Sequence, residues 1–245
     1  MSNSDDVRIE LMEEGDFPVA FDTAAKAFGH QARDGIWMAV NPGWDTPEGL
    51  EKGGMLMEKR WRNVTTDRDG NPNTMFLKAT VPDPKEPTRR VLAGMAIWEQ
   101  CSMVEGRGVP LPEDRNAIDL GRAPNERERR FISQAIFSLH KPRLELAKAI
   151  AATDKPALLA LDICAVNPAF QRRGIAGKLV EWGLREAERR GGIEAVTEAS
   201  DMGRPVYARV GMKQIGDGIM YNLDEEFADR DMPPNVFMRS QPPGV

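Results

Sequence analysis

The stretch "LDICAVNPAFQRRGIAGKLVEWGL", residues 161–184, runs three kinds of pattern end to end. It completes a segment, residues 157–166, that is apolar at nearly every position, as a strand covered on both faces is. A basic, polar turn comes next. From Gly174 to about residue 190, Ile175, Leu179, Trp182 and Ala187 recur on one side at helical spacing, and Glu181 and Arg185 form a favourable pair on the other. Strand, tight turn and helix in this order leave the N–H groups of the helix start unpaired and pointing outward. Together with the helix dipole they make an anion site. Gly174 lets the backbone approach a bulky anion, and Arg172, Arg173 and Lys178 add positive charge. A phosphate or pyrophosphate suits this turn better than a carboxylate.

Two common phosphate patterns do not fit. A P-loop requires G-x-x-x-x-G-K-[ST], but Leu179 follows Gly177-Lys178 and position 172 is Arg. A dinucleotide fingerprint requires G-x-G-x-x-G directly after the strand, and only Gly174-x-x-Gly177 is present.

The rest of the chain sets limits. It has 245 residues, 41% hydrophobic, which is enough for a sizeable core in a globular protein. A net charge of −5 argues against general nucleic-acid binding. No apolar run approaches the roughly 20 residues of a membrane span. The opening "MSNSDDVRIE" is polar and acidic, unlike a signal or transit peptide. With only Cys101 and Cys164 and no disulfide framework, an intracellular compartment is expected, cytoplasmic or nuclear. The two cysteines and two histidines lie far apart and have no metal-ligand spacing, so no metal is expected.

Outward from the quoted stretch, strands are expected at residues 7–11, 74–81 and 90–101, the last two as hairpin partners. Asp16 and Pro18 start a helix that Gly29 should stop. "HQARDGIWMAVNPGW", residues 30–44, reads as a loop, and Thr46 opens a second helix. Residues 102–125 carry loop chemistry. Residues 126–152 read as two helices broken at Pro142, with His140 near the joint. Downstream, "EAVTEAS" reads as a strand, "RPVYARV" as a short helix and "MYNL" as a last strand. The acidic, Pro-rich end is expected to be loose.

The hexapeptide Gln171-Arg172-Arg173-Gly174-Ile175-Ala176 resembles the Q/R-x-x-G-x-G/A signature of the GNAT superfamily of acyl-CoA-dependent N-acetyltransferases. Its strand–turn–helix setting, the segment "EASDMGRPVYARVGMKQIG" (residues 198–216) and the first strand and helix also look like that family. Ala176 stands where a second Gly is commoner. The resemblance covers about residues 5–223 and is weak over the longer segment 102–155. It implies a single α/β domain over residues 1–245, a mixed and mostly antiparallel central sheet flanked by helices, with an insertion at about 102–155 and a loose tail at 224–245.

In function it implies transfer of an acetyl group from acetyl-CoA to a primary amine, by direct attack in a ternary complex. Acetyl-CoA and the amine would be the partners, with no nucleic acid and no membrane. The donor would lie where two strands splay. Its pantetheine would pair with the backbone of Cys164, Ala165 and Val166, and its pyrophosphate would rest on residues 171–178: Gln171, Arg172, Arg173, Gly174, Ile175, Ala176, Gly177 and Lys178. Arg172 and Arg173 read equally well as solvated surface charges. Tyr207 matches the family's frequent general acid for the departing thiolate, and reads otherwise as a packed helix residue. Asp162, an acid inside an apolar strand on the side of Ala160 and Cys164, is the first candidate for the base, or a hydrogen-bonded structural group. Glu99 and Glu198 follow. His30, Trp37 and His140, with Glu198, are candidates to meet the acceptor. Trp44 and Trp98 fit either a pocket wall or the core. Two rivals remain: a GNAT-fold module that binds acyl-CoA without catalysis, and an enzyme using a longer acyl-CoA.

Overall fold

The computed structural model describes residues 6–241. Seven strands form one sheet in the order β1-β2-β3-β4-β5-β7-β6. They are β1 (Arg8–Leu11), β2 (Thr74–Pro82), β3 (Arg90–Cys101), β4 (Leu158–Val166), β5 (Glu194–Ala199), β6 (Lys213–Gly218) and β7 (Val236–Arg239). Every neighbouring pair is antiparallel except β4 and β5. The helices are α1 (Phe17–Ala24), α2 (Gly35–Val40), α3 (Pro47–Arg62), α4 (Glu126–Ile150), α5 (Ile175–Arg189) and α6 (Arg204–Arg209). The mixed, mostly antiparallel α/β sheet expected from the sequence is therefore the architecture.

The apolar run of β4 is apolar because helices cover both faces of the sheet. On one face Leu159 and Leu161 pack with Ile175, Leu179 and Val180 of α5. On the other, Leu158 and Ala160 meet Leu144 and Ala147 of α4, and Ala165 meets Phe17, Ala20 and Phe21 of α1. Trp98 is fully buried on the α5 face, its Nε1 donating to the Leu179 carbonyl at 3.4 Å. It is a core residue.

The register between β3 and β4 places the site. Ile97 pairs with Ile163 and Trp98 with Leu161, so Asp162 is the extra residue of a bulge. A bulge reverses the in–out alternation beyond it. Ala160 therefore faces α4 while Cys164 faces α5. The two do not share a side, which corrects the reading of Asp162 within one regular strand. The same bulge marks a parting of strands. β4 pairs with β5 only over Leu158–Leu161 against residues 194–197, and beyond it the β5-facing edge of β4 is unpaired. This is the expected splay.

Five other expectations are corrected. α4 runs unbroken through Pro142. A mid-helix proline costs about 3 kcal/mol, but both halves bury apolar residues: Phe131, Ile132 and Ala135 before it, Leu144 and Ala147 after. Gly29 does not stop the first helix, which continues as a π-helix over Ala25–Ala32 and ends at Arg33, φ 51°. Gly29 instead admits the Trp44 ring, which would lie 2.4 Å from any added Cβ. The expected loop at residues 30–44 contains α2, capped by Asp34, whose carboxylate accepts from the Trp37 N–H at 2.9 Å. "MYNL" is not a strand. The last strand is β7, from the segment read as a loose tail. It inserts between β5 and β6, with Val236, Phe237 and Met238 buried. The sheet core thus extends past residue 223.

Candidate active site

The turn after β4 is built to leave donors free. Asn167 accepts from the Ala169 N–H at 3.1 Å and starts a 3-10 turn, Pro168–Phe170. Arg172 (φ 65°) and Gly174 (φ 75°) then adopt left-handed backbone conformations before α5. Glycine takes that conformation freely, whereas for arginine it is uncommon. Among the described residues, the N–H groups of residues 172–177 meet no protein acceptor. They converge at a helix N-terminus, the arrangement that binds phosphate. Arg173 lies over the Phe170 ring at 5.3 Å. Gln171 points inward. Its Nε2 donates to the Val166 carbonyl at 3.2 Å and to Gln31 Oε1 at 2.7 Å, so the turn is tied to the π-helix after α1.

A cavity of about 480 Å³ opens at the splay. Its floor is the sheet, with Ile97 and Glu99 from β3, Asp162, Ile163 and Cys164 from β4, and Glu198 and Ser200 at the end of β5. Its walls come from α1, the π-helix, α2, α3 and α4, and from Leu120 and Arg122. The segments at 30–44 and 102–155 thus wall one cavity. Of the predicted residues, Asp162, Glu99, Glu198, His140, Trp37, Cys164 and Tyr207 all line it. His30 does not. It is exposed and packs edge-on against Trp44, ring centroids 4.8 Å apart. Trp37 stacks on Phe28 at 6.0 Å.

Two arginines missed in the sequence, Arg60 and Arg143, organise the acids, and a third, Arg122, lines the same cavity. Arg60 of α3 bridges two strands, with Nη2 2.8 Å from Glu99 and Nη1 3.0 Å from Asp162. Arg143 of α4, almost wholly buried, binds Glu198, with Nε 3.2 Å from Oε1, and lies 3.9 Å from Asp162. Arg122 donates to Asn41 at 2.8 Å. Each basic residue sits in a segment whose sequence reads as a solvated charged face or a loop, and its partner is far along the chain, so spacing carried no signal.

The electrostatics follow. Burial pushes the Asp162 carboxyl up, but Arg60 and Arg143 outweigh it and hold the group at about 2. Burial, with help from Arg143, drives His140 down to about 4, so its imidazole is neutral at pH 7. Burial pushes the Cys164 thiol up to about 12, with the Tyr207 hydroxyl as its hydrogen-bond neighbour. Tyr207 is itself raised well above its ordinary value by burial and then by Cys164. A thiol held so high is not a nucleophile at neutral pH.

His140 yields a prediction on stability. Its folded-state value lies below the ordinary 6.5. The unfolded chain therefore binds more protons between about pH 6.5 and 4, and stability falls as pH drops through that window. His140→Gln should flatten the fall of Tm with pH between 6.5 and 4. An unchanged slope would show that His140 is not held neutral.

The sheet, its splay and the open turn share their fold with solved N-acetyltransferases. Residues 137–212 match the sequence model of the acetyltransferase (GNAT) family. The matched region begins inside α4. No curated protein matches the sequence. Solved structures share the fold at low identity. Arylalkylamine N-acetyltransferase 2 of Aedes aegypti has 18% identity and a TM-score of 0.60, over 95% of this chain and 97% of its own. A polyamine N-acetyltransferase of Drosophila melanogaster, described as forming N-acetylagmatine, has 12% identity and a TM-score of 0.58, over 96% and 97%. A histone acetyltransferase-related protein of Corynebacterium glutamicum has 17% identity and a TM-score of 0.53, over 98% and 99%.

Proposed function

We propose that the chain, acting as a single N-acetyltransferase domain in an intracellular compartment, moves the acetyl group of acetyl-CoA to the primary amine of a small molecule. The observation that carries this is the continuity of two sites. The donor-rich turn at residues 172–177 leads along the open edge of β4 to the floor of the cavity, where Tyr207 and Cys164 meet. A pyrophosphate on the turn would send the pantetheine past Val166, Ala165 and Cys164 and bring the thioester to Tyr207. The neutral thiol of Cys164 disfavours an acyl-enzyme and supports direct attack by the amine. The amine-acting relatives of the same fold support the acceptor class.

Asp162 is assigned to holding Arg60 and the cavity floor rather than to taking a proton. A carboxylate at about 2 is too weak a base to deprotonate an amine of pKa ~10. His140 is already neutral above about pH 4, and Tyr207 keeps its proton. None of the three titrates between about pH 6 and 9. The rise of kcat/KM with pH should therefore follow the acceptor's own pKa. Two acceptors whose pKa values differ by about two units should give profiles displaced by about the same amount. Profiles that coincide for both would assign the titration to the enzyme.

The direct test is a screen of amines with acetyl-CoA, read by release of free thiol. Turnover with a small primary amine is expected. Acetyl-CoA binding without turnover on any amine would favour a non-catalytic module. Faster turnover with a longer acyl-CoA would change the donor.

A further inference from the structure

Among the described residues, Arg122 is the one arginine lining the cavity that no carboxylate pairs with. Arg60 is bound by two carboxylates and Arg143 by Glu198. Arg122 has no acidic partner among the described residues, although it lines the same cavity. Its one side-chain hydrogen bond goes to Asn41 Oδ1 at 2.8 Å. Asn41 is itself buried, and its amide is fixed by donating to the Trp37 carbonyl at 2.8 Å. Arg122 is thus held on a rigid support at the cavity wall, beside a second arginine that further disfavours its charge. A partly buried guanidinium without a counter-charge is costly. A planar guanidinium binds a carboxylate, like a phosphate, through a pair of parallel hydrogen bonds.

We propose that the acceptor is an amino-carboxylate with an apolar body, whose carboxylate binds Arg122 while its amine reaches the thioester beside Tyr207. This rests on the reading of the chain as an amine acetyltransferase and narrows it. The cavity that Arg122 lines is also lined by the apolar side chains of Phe21, Ile36, Val40, Leu120 and Leu139. These side chains can pack against an aromatic or aliphatic skeleton. A single unpaired guanidinium also matches the single charge of a carboxylate.

The test uses matched acceptors that differ only by the carboxylate: phenethylamine against phenylalanine for a short spacing, and benzylamine against 4-(aminomethyl)benzoate for a long one. In the wild type, kcat/KM should favour the carboxylate member of at least one pair by tenfold or more. In Arg122→Gln that ratio should fall at least tenfold, and Arg122→Lys should restore part of it. Preference for the plain amine in both pairs, or a ratio unmoved in Arg122→Gln, overturns the inference and leaves acetyl transfer standing. Calorimetry with 3-phenylpropionate, which has no amine to acetylate, reads the subsite without turnover. Binding should weaken at least tenfold in Arg122→Gln. Equal binding by both proteins, or none by either, overturns the inference. Binding that depends on Arg122 in a protein that acetylates no amine upholds the anion subsite and sinks the acetyltransferase reading. Thermal melting of both variants checks that they fold.

Discussion

Tyr207→Phe lowers kcat by about 100-fold or more and leaves KM for acetyl-CoA close to wild type. The substitution removes one oxygen and keeps the ring. Tyr207 is buried on α6, with its backbone N–H bonded to the Gly203 carbonyl at 3.0 Å, so the helix does not depend on the hydroxyl. The hydroxyl reaches the floor of the cavity next to Cys164. Acetyl-CoA would be held chiefly by the turn at residues 172–177 and the edge of β4, and neither involves the phenol. Ground-state binding should therefore survive.

The loss falls on the step in which the C–S bond breaks. A thiolate departing into a buried site has no water to stabilise it. A phenol kept protonated by its surroundings can donate a hydrogen bond and then the proton. Steady-state kinetics separates the outcomes. A fall in kcat and kcat/KM together assigns the hydroxyl to the transition state. An unchanged kcat would remove Tyr207 from the chemistry and leave it as packing for Cys164.

The open turn proposed to hold the donor was legible because it is local. One segment, residues 161–184, holds the strand, the turn and the helix, so adjacent residues carry the whole of the open turn. Tyr207 was reachable for the same reason. The acceptor side is assembled from afar. Arg60 meets Asp162 across 102 positions and Arg122 meets Asn41 across 81. Nothing in a one-dimensional pattern marks such pairs. The bulge at Asp162 was hidden too, since an extra residue in an apolar strand changes no composition and yet turns Cys164 to the other face. The misplaced tail has a related cause. β7 is short, and what makes it a strand is the gap between β5 and β6, which exists only once the sheet is formed. Pro142 misled because its penalty is local, whereas the burial that offsets it runs the length of α4.

Arg143→Leu is expected to destabilise the fold by about 3–5 kcal/mol, a larger effect than the loss of any surface ion pair in the molecule. Arg143 and Glu198 have only 2% and 4% of their side chains exposed, and they join α4 to the end of β5 at the splay. With Arg143 gone, Glu198 is left buried without its cation, and Asp162 loses a neighbour at 3.9 Å. For a chain of this size the cost corresponds to a fall in Tm of about 10 °C. Glu198→Leu should be nearly as harmful, because it strands the guanidinium instead. The double variant Arg143→Leu with Glu198→Leu should recover much of the loss, since two apolar residues leave no charge to solvate. Denaturant unfolding of the four proteins measures this cycle. Equal and additive losses would show that the pair does not act as a unit. Recovery in the double variant, with activity still reduced, would show that a charge pair costly to bury is kept at the splay for what it does to the cavity floor and not for stability.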